Sequence, residues 1–515
     1  MNKHLLAVGI DLGTTFSSVS IVNENGFPEV LVNSEGERIT PSAVFFDEDS
    51  IVIGELAKVN ATVQPNEVIQ FVKREIGNPD FYVKHNGKKL SPVDISAIIL
   101  KKIKNDTEAY LDQDIPYAVI TVPAYFDEKC RRATEQAGEI AGFKVLKLIN
   151  EPTAAAIAFG ALKSKTEETV LVYDLGGGTF DVSLVRIQKA GEDIRIISSE
   201  GDHRLGGKDF DDAIITKCVN KFKEEHGFDP CEDPAESQQL RLDAEKAKKE
   251  LSLRNQAKIL VRSRGLRSQV VITREEFNEA IAPKLETTMA LVRTLLRGVK
   301  VQTAEVDRIL LVGGSTRIPA VREVIKKMFG KEPDISINPD EAVSLGAAIL
   351  AAQEVAKIQV EIVPEKILEK VGGIQITDVV NHSIGIEVTA PGSQQKINSV
   401  LIKKNSPIPC EVSREFVTSI PGQTAIKLTV YQGEFQNPAL CNPIGEFSMT
   451  GLPPNRPSGK KVRVTLICTA NGMVEISAKD IESGVETSTE VKYAFADSGN
   501  EVNVKKLWLE AVTVE

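Results

Sequence analysis

Two short segments in different halves of the chain repeat one pattern, and this repeat limits the folds that the chain can adopt. Residues 9–15 read Gly-Ile-Asp-Leu-Gly-Thr-Thr, and residues 173–179 read Tyr-Asp-Leu-Gly-Gly-Gly-Thr. In both, an apolar strand reaches an Asp and a glycine turn with threonine, and alternating apolar residues follow. The pattern predicts strand, turn and strand, whereas the dinucleotide fingerprint and the Walker A loop need a helix after the glycines.

Glycine turns of this kind are suited to binding phosphate. Without a Cβ atom, backbone N–H groups can converge on a phosphate, and threonine hydroxyls add further donors. A single Asp-x-Gly hairpin is more often an ordinary turn, but two near-copies in one chain favour a phosphate site. We expect the two hairpins to face each other and to hold a polyphosphate and its cation from both sides.

The overall composition is that of a globular protein. Of the 515 residues, 42% are hydrophobic and 26% are charged, which leaves room for about two to four domains. The net charge of −10 disfavours a general affinity for nucleic acid or an anionic membrane, and no apolar run is long enough to span a bilayer. The six cysteines are scattered without a Cys-x-x-Cys pair, so reduced thiols in a cytoplasmic compartment are favoured over a zinc site.

The pattern of predicted helices and strands changes along the chain and divides it into parts. Strand and helix signals alternate over residues 1–358, which predicts an α/β fold of two duplicated lobes around a cleft, since each half begins with a phosphate hairpin. From residue 381 to 494, short alternating strands and the turn Asn471-Gly472 indicate a β sandwich. Residues 495–515 predict at most a short helix.

Residues 359–380 connect these two parts. Gly372 and Gly373 offer a hinge, and Ile374 and Ile376 alternate with polar residues. This alternation is typical of an edge strand that docks and undocks, or of an ordinary solvated linker, and the sequence leaves both open.

Several further motifs resemble those of one family. They lie at residues 9–15, 122–126, 150–155, 174–181, 205–207, 312–319 and 337–342. Together they resemble the seventy-kilodalton heat-shock chaperone family, the DnaK-type chaperones, over about residues 5–494. The resemblance implies an actin-like ATPase fold, a linker and a β sandwich that binds extended peptide. The family's helical lid has no counterpart in residues 495–515, so we expect a lidless or C-terminally truncated member.

The resemblance implies ATP hydrolysis, with ATP or ADP, Mg²⁺ and K⁺ as cofactors. Asp11, Glu151 and Asp174 are expected to hold Mg²⁺ through waters, although Glu151 could equally cap the helix that Pro152 opens. Asp181 lies on the same strand face as Thr179, and it is expected to bind a monovalent cation or orient the water. The implied catalytic residues are Lys73, Glu151, Asp174, Thr179, Asp181 and Asp11.

The phosphates of the nucleotide have their own implied partners. Thr14, Thr15 and Thr179 are expected to donate to the β- and γ-phosphates, and Lys73 matches the family lysine beside the γ-phosphate. Without the motif, Lys73 would read as a surface lysine on a helix. The glycines implied to cradle the phosphates are Gly13, Gly176, Gly177 and Gly178.

A helical face resembles the family's adenine wall. Its four members have the spacing i, i+3, i+4 and i+7, which places them on one side of a helix. They are Glu245, Lys248, Lys249 and Ser252. The residues that resemble the opposite wall and the ribose side are Gly313, Gly314, Ser315, Arg317 and Asp340.

The β sandwich carries the implied peptide site. The apolar residues at the positions where the family lines its pocket for a leucine-like side chain are Ile386, Phe416, Ile426 and Leu428. From their periodicity alone they would be ordinary core residues. Thr389 and Ser419 occupy positions where the family usually has apolar residues arching over the peptide, so we expect a weaker grip.

The resemblance implies an ATP-dependent molecular chaperone that binds extended hydrophobic segments of unfolded proteins. A J-domain co-chaperone and a nucleotide-exchange factor are the implied partners, without nucleic acid or membrane. The alternative is a nucleotide-binding regulatory or ribosome-associated relative without general clients. The polar arch and a linker without the family's Val-Leu-Leu-Leu run favour that alternative, and the complete catalytic set disfavours it. A sugar kinase of the same superfamily would not need the β sandwich.

Overall fold

The computed structural model describes most of the chain. The described residues are 7–48, 50–162, 166–188, 191–358, 363–390, 392–490 and 499–515. Two predicted boundaries, the start of the connector at Gln359 and the end of the sandwich at Ala494, lie outside these ranges. Among the described helices, none combines the length and the apolar character needed to cross a bilayer.

Strands and helices alternate through residues 7–358, which we call the α/β region. Its helices are α1 (Glu55–Asn60), α2 (Pro92–Leu111), α3 (Glu128–Ile140), α4 (Glu151–Leu162), α5 (Gly207–His226), α6 (Pro234–Leu253), α7 (Arg274–Val299), α8 (Pro319–Phe329) and α9 (Ala342–Ile358). Its strands are β1 (Ala7–Asp11), β2 (Phe16–Val22), β3 (Pro28–Val30), β4 (Thr40–Pro41), β5 (Ala43–Phe46), β6 (Ile51–Ile53), β7 (Val68–Gln70), β8 (Val83–His85), β9 (Lys88–Leu90), β10 (Tyr117–Val122), β11 (Lys144–Asn150), β12 (Glu168–Leu175), β13 (Phe180–Gln188), β14 (Asp193–Asp202), β15 (Gln256–Ser263), β16 (Leu266–Thr273) and β17 (Arg308–Val312).

Two large sheets organise the α/β region. The first sheet has the order β11-β10-β1-β2-β3, with β4 also paired to β2, and the second runs β17-β12-β13-β14 and continues into later strands. In each sheet the predicted hairpin is an antiparallel pair, β1 with β2 and β12 with β13. The predicted duplicated α/β fold is therefore confirmed, with one phosphate hairpin in each sheet.

Helices α4 and α9 lie between the two sheets and share one apolar core with both. Small residues allow this close crossing. A Cβ atom on Gly346 of α9 would fall 1.7 Å from the carbonyl oxygen of Ala154 in α4, so only glycine fits there. The crossing fixes the separation of the two sheets, and therefore the position of their hairpins.

The connector contains two elements, α10 (Glu365–Val371) and β18 (Gln375–Val379). Strand β18 pairs in parallel with β14 and so extends the second sheet. The side chain of Gln353 in α9 donates a hydrogen bond to the carbonyl oxygen of Ile374 at 2.9 Å. This pairing confirms a docked strand and is inconsistent with a fully solvated linker here. The strand is not at an edge, however, because residues 407–408 pair with its other side. The short helix α10 was not predicted.

The strands after the connector form the β sandwich. They are β19 (Ile384–Thr389), β20 (Lys396–Ile402), β21 (Pro407–Ile408), β22 (Cys410–Val417), β23 (Ala425–Gln432), β24 (Asn442–Thr450), β25 (Lys461–Cys468), β26 (Val474–Asp480) and β27 (Glu486–Glu490). One sheet has the order β20-β19-β23-β24 and the other β22-β25-β26-β27, while β21 pairs with β18. The turn at Asn471-Gly472 joins β25 to β26, as the sequence predicts.

The sandwich is docked on the α/β region through polar contacts. The side chain of Asn442 donates to Asp127 Oδ2 at 2.5 Å, and Lys404 Nζ lies 2.5 Å from Glu200 Oε1. In the connector, Asp378 Oδ2 accepts a hydrogen bond from Asn150 at 3.0 Å. These contacts tie β11, β14 and the N-terminus of α3 to the sandwich and the connector.

The last described segment packs on the α/β region rather than on the sandwich. It contains α11 (Gly499–Glu510), which is the predicted short helix. Leu509 is 1% exposed within the core beside the first sheet, and Lys505 Nζ lies 2.9 Å from Asp94 Oδ1. Beyond the helix, the backbone pairs with β6, where Ile51 N donates to Thr513 O at 3.0 Å. These contacts of residues 499–515 are therefore all with the α/β region.

Replacing Leu509 by alanine should release this segment. A large-to-small change at a buried site costs about 2–5 kcal/mol, and a helix of this length has little stability of its own in water without the surface on which it packs. We expect amide hydrogen exchange across residues 499–515 to accelerate by about tenfold or more. Leu507→Ala is the matched control, since Leu507 is 65% exposed on the same helix. Equal exchange in the two variants would contradict the docking.

Candidate active site

A cavity of about 800 Å³ opens between the two sheets, and both hairpin turns reach it. The predicted site residues that line it are Asp11, Gly13, Thr14, Thr15, Lys73, Glu151, Asp174, Gly176, Gly177, Thr179, Glu245, Lys248, Lys249, Ser252, Gly313, Gly314, Ser315, Arg317 and Asp340. Gly178 and Asp181 are not part of this lining. The Gly178 carbonyl accepts a hydrogen bond from Arg74 Nε at 3.0 Å, and Asp181 Oδ1 accepts one from Tyr125 N at 3.2 Å.

The two hairpin turns touch across the cleft. A Cβ atom on Gly177 would fall 1.8 Å from Thr15 Oγ1, and one on Gly178 would fall 2.3 Å from Thr14 Cγ2. Side chains at these two positions would therefore push the turns apart. The turns face each other as the sequence predicts, with threonines of the first against glycines of the second.

Lys73 lies in the wall of the cavity beside the carboxylates. One turn of 3-10 helix, Val72–Glu75, carries it, and Phe71 before this turn has a left-handed backbone with φ 61°. Lys73 Nζ is 2.5 Å from Glu151 Oε1, and both side chains are buried. Glu151 is the first residue of α4, where a carboxylate also favours the positive end of the helix. Glu151 can pair with Lys73 while it stands at the start of α4. Both predicted roles of Glu151, holding Mg²⁺ through water and capping the helix, therefore fit this position.

Three buried aspartates lie close enough to Glu151 to feel its charge: Asp11 and Asp174 in the cavity lining, and Asp181 outside it. Burial raises the pKa of Asp11 to about 7, and the charge of Glu151 adds to the rise. Burial and Glu151 likewise raise the pKa of Asp181 to about 8. For Asp174, burial, Glu151 and Asp181 together hold the pKa well above its ordinary range. Crowded carboxylates of this kind strongly favour binding a cation.

The donor set fits Mg²⁺ held through water. Magnesium prefers oxygen ligands and keeps several of its waters, and Asp11, Glu151 and Asp174 supply carboxylate oxygens around one cavity. Within the described ranges, no three acidic, histidine or cysteine side chains converge closely enough to ligate a metal ion directly.

The wall on α6 is held by ion pairs. Burial favours a higher pKa for Glu245, but Lys58 and Lys249 outweigh this effect and lower the pKa to about 2. Lys248 Nζ lies 2.9 Å from Asp211 Oδ1. These pairs fix the helix face that the sequence predicts beside the base.

The opposite wall follows β17. Arg317 donates to Asp340 Oδ2 at 2.7 Å, and Ser315 Oγ donates to the carbonyl oxygen of Gly176 at 2.9 Å. Gly313, with φ 80°, turns the chain directly after β17. The structure thus joins residues 313–317 both to the second hairpin and to Asp340.

Sequence reasoning missed the ion pairs that close the cleft. Lys58 Nζ lies 2.6 Å from Glu245 Oε2, and Arg74 lies 2.5 Å from Asp209 Oδ2. Lys58 and Arg74 lie in the first half of the α/β region, on α1 and on the 3-10 turn after β7, and their partners lie in the second half, on α6 and α5. The sequence offered one signal for these pairs, the position of Arg74 directly after Lys73 in its motif. It gave no sign of the partners, because they are far apart along the chain.

The predicted peptide-site residues lie in the sandwich and differ in exposure. Ile386 is fully buried and Leu428 nearly so, and both belong to the sandwich core. Phe416 and Ile426 are partly buried and pack against that core. Thr389 and Ser419 are exposed. In this conformation Ile386 contributes to packing, so an open pocket would expose Phe416 and Ile426 first.

The chain is similar to known proteins over nearly its whole length. The family model described as Hsp70 protein matches residues 7–83 and 78–512. The chain is 42% identical over 498 residues to the Chaperone protein DnaK of Thermotoga petrophila, an alignment that covers 94% of this chain and 80% of that protein. Proteins with the same name from Thermotoga sp. strain RQ2 and Thermotoga maritima show the same identity and coverage.

Proposed function

This chain belongs to the Hsp70 family, and from that premise we propose which of its residues carry out each part of the family's work. The chain is an ATP-dependent chaperone and an ATPase that uses ATP or ADP with Mg²⁺. DnaK-type chaperones bind unfolded polypeptides and co-chaperones. The observation that carries the assignment of residues is the meeting of two glycine hairpins over a buried lysine and four carboxylates.

We propose that the phosphates of ATP lie between the two hairpins. Thr14, Thr15 and Thr179 line the cavity at the hairpin turns and would donate hydrogen bonds to phosphate oxygens. Lys73 would turn from Glu151 toward the γ-phosphate and offset its developing charge. Phosphoryl transfer depends on such positioning and charge neutralisation more than on covalent chemistry.

The carboxylates would divide between two cations. Asp11, Glu151 and Asp174 would hold the waters of Mg²⁺, which supplies charge neutralisation for the phosphates when bound. We propose that Asp181 holds K⁺ or orients the attacking water, since it is buried opposite Asp174 in the second hairpin and accepts a hydrogen bond from Tyr125 N. The cations also explain how several buried acids can be ionised together.

The base and ribose would bind between α6 and the chain after β17. The α6 residues Glu245, Lys248, Lys249 and Ser252 form one side, and residues 313–317 form the other. The pair of Arg317 and Asp340 would lie at the ribose end. Since ion pairs already fix both walls, the nucleotide would enter a preorganised slot.

We propose a division into a nucleotide-binding domain at residues 1–358, a linker at 359–380, a peptide-binding sandwich at 381–494 and a tail at 495–515. Extended hydrophobic segments would bind the sandwich beside Phe416 and Ile426. The exposed polar residues Thr389 and Ser419 support a weak grip. A J-domain co-chaperone, a nucleotide-exchange factor and a cytoplasmic location complete the proposal.

Replacing Ile426 by phenylalanine should abolish peptide binding. The larger ring would fill the proposed pocket and exclude the peptide's side chain, and losing the burial of one such side chain costs about 1.5–3 kcal/mol, or roughly tenfold to 150-fold in affinity, which takes an already weak interaction beyond detection. Fluorescence anisotropy of a labelled leucine-rich peptide measures the loss, and ATP hydrolysis without peptide should persist. Leu440→Phe is the control, because Leu440 is 61% exposed in the loop between β23 and β24. An unchanged peptide affinity in Ile426→Phe would place the peptide elsewhere.

A further inference from the structure

Two cysteines stand directly opposite each other on neighbouring strands of the sandwich. Cys410 begins β22 and Cys468 ends β25, and the antiparallel register pairs them with each other. Both are free thiols in this structure. No proposed step of ATP hydrolysis or peptide binding uses either of them.

The geometry of the pair suits a covalent link. Directly opposed residues on antiparallel strands point to the same face, with Cα atoms about 4.5–5.5 Å apart. A disulfide needs a Cα separation of about 4.4–6.8 Å. Here the shared face is the inner one, because Cys468 is 1% exposed in the sandwich core and Cys410 packs against that core.

The immediate surroundings show that the thiols are close. Burial raises the pKa of the Cys410 thiol, while a hydrogen bond with the backbone of Cys468 opposes that rise. Burial raises the pKa of Cys468 to about 12, and the nearby Cys410 adds to the effect. Both thiols are therefore protonated at neutral pH, which explains how a reduced pair can persist there.

We propose that Cys410 and Cys468 are a modification site that a low-molecular-weight disulfide converts into a cross-strand disulfide. The partly exposed Cys410 loses its proton, and its thiolate attacks one sulfur of the reagent. The reagent's disulfide breaks, releasing one thiolate and leaving Cys410 in a mixed disulfide. Cys468 then loses its proton and attacks the Cys410 sulfur, releasing the second thiolate. Two protein thiols are oxidised, one reagent disulfide is reduced to two thiols, and the two protons go to the leaving groups.

The pair lies where the sandwich meets the α/β region. Cys468 lines a cavity of about 90 Å³ together with Arg131, Asn150 and Asp378. The turn after Cys468 reaches Arg131, since a Cβ atom on Gly472 would lie 3.5 Å from the Arg131 guanidinium. The disulfide would therefore join two strands at the docked face of the sandwich, with Cys410 as the accessible first reactant.

The test is thiol counting on the full chain in a buffer of reduced and oxidised glutathione. After acid quenching and denaturation, N-ethylmaleimide labels every remaining thiol, and intact mass gives their number. The chain has six cysteines, so six minus the two paired predicts four labels, with proteolytic mapping linking Cys410 to Cys468. Because only thiolates attack, the initial rate should rise about tenfold per pH unit near neutrality.

Three variants make the assignment specific. Cys410→Ser and Cys468→Ala should each prevent the internal link. Each variant tests the pair by itself, so one of them suffices if the other fails to fold. Cys441→Ser, in the same sandwich, should retain it. Six labels on oxidised wild-type protein, or a link between other cysteines such as Cys218 and Cys231 with Cys410 and Cys468 still labelled, would overturn the proposal.

Discussion

Replacing Lys73 by alanine lowers the single-turnover rate of ATP hydrolysis by about tenfold or more. Lys73 is the cation paired with Glu151 at 2.5 Å, and it lines the same cavity as Asp11 and Asp174. Without it, the charge that develops on the γ-phosphate loses the buried cation proposed to offset it. Each tenfold loss in rate corresponds to about 1.4 kcal/mol of transition-state stabilisation, a modest demand for one buried charge.

The same experiment on two further variants separates binding from chemistry. Asp174→Asn and Thr179→Ala should each slow hydrolysis by about tenfold or more, since they remove a charge or a donor beside the phosphates. ATP affinity should fall far more for Asp174→Asn than for Lys73→Ala, because Asp174 would help to hold the cation that accompanies ATP. Isothermal titration gives the affinities, and rapid quench gives the single-turnover rates.

A lysine outside the cleft provides the matched control for Lys73. Lys84→Ala removes the same charge from an exposed position on β8 and should hydrolyse ATP at the wild-type rate. If Lys73→Ala also hydrolysed ATP at that rate in folded protein, the proposed role of Lys73 would be wrong.

Replacing Ile374 and Ile376 together by aspartate removes the stimulation of ATP hydrolysis by peptide. Ile374 is 9% exposed in the core shared by the two sheets, and Ile376 packs against the same core. Burying two unpaired carboxylates there costs several kcal/mol, so β18 should leave β14. Basal hydrolysis should stay within a few-fold of wild type, because neither residue lines the nucleotide cavity.

The residue between them supplies the control for the connector. Gln375 is exposed on β18, so Gln375→Asp adds a similar charge without burying it. That variant should keep the stimulation that the double variant loses. Steady-state hydrolysis with and without a leucine-rich peptide measures both. Full stimulation in the double variant would show that β18 does not carry the signal between the domains.

Local sequence signals predicted the elements that depend on a few neighbouring residues. Helix α8 runs from Pro319 to Phe329 because proline suits the first turn and Gly330 adopts the left-handed conformation that ends the helix. The turn at Asn471-Gly472 likewise follows from its own dihedral preferences. Helix α10 escaped prediction because its seven residues carry too short a pattern to distinguish from a linker.

The sequence by itself determined the two phosphate hairpins, the sandwich and the family, because each depends on residues that are adjacent along the chain. Only the tertiary structure decided which side chains meet when they are far apart along the chain. Lys58 pairs with Glu245, Arg74 with Asp209, and Cys410 with Cys468, and each pair forms only when strands or sheets close on one another. The tertiary structure also decided the docking of β18 and of residues 499–515, since an amphipathic segment gains stability only from the surface that it covers.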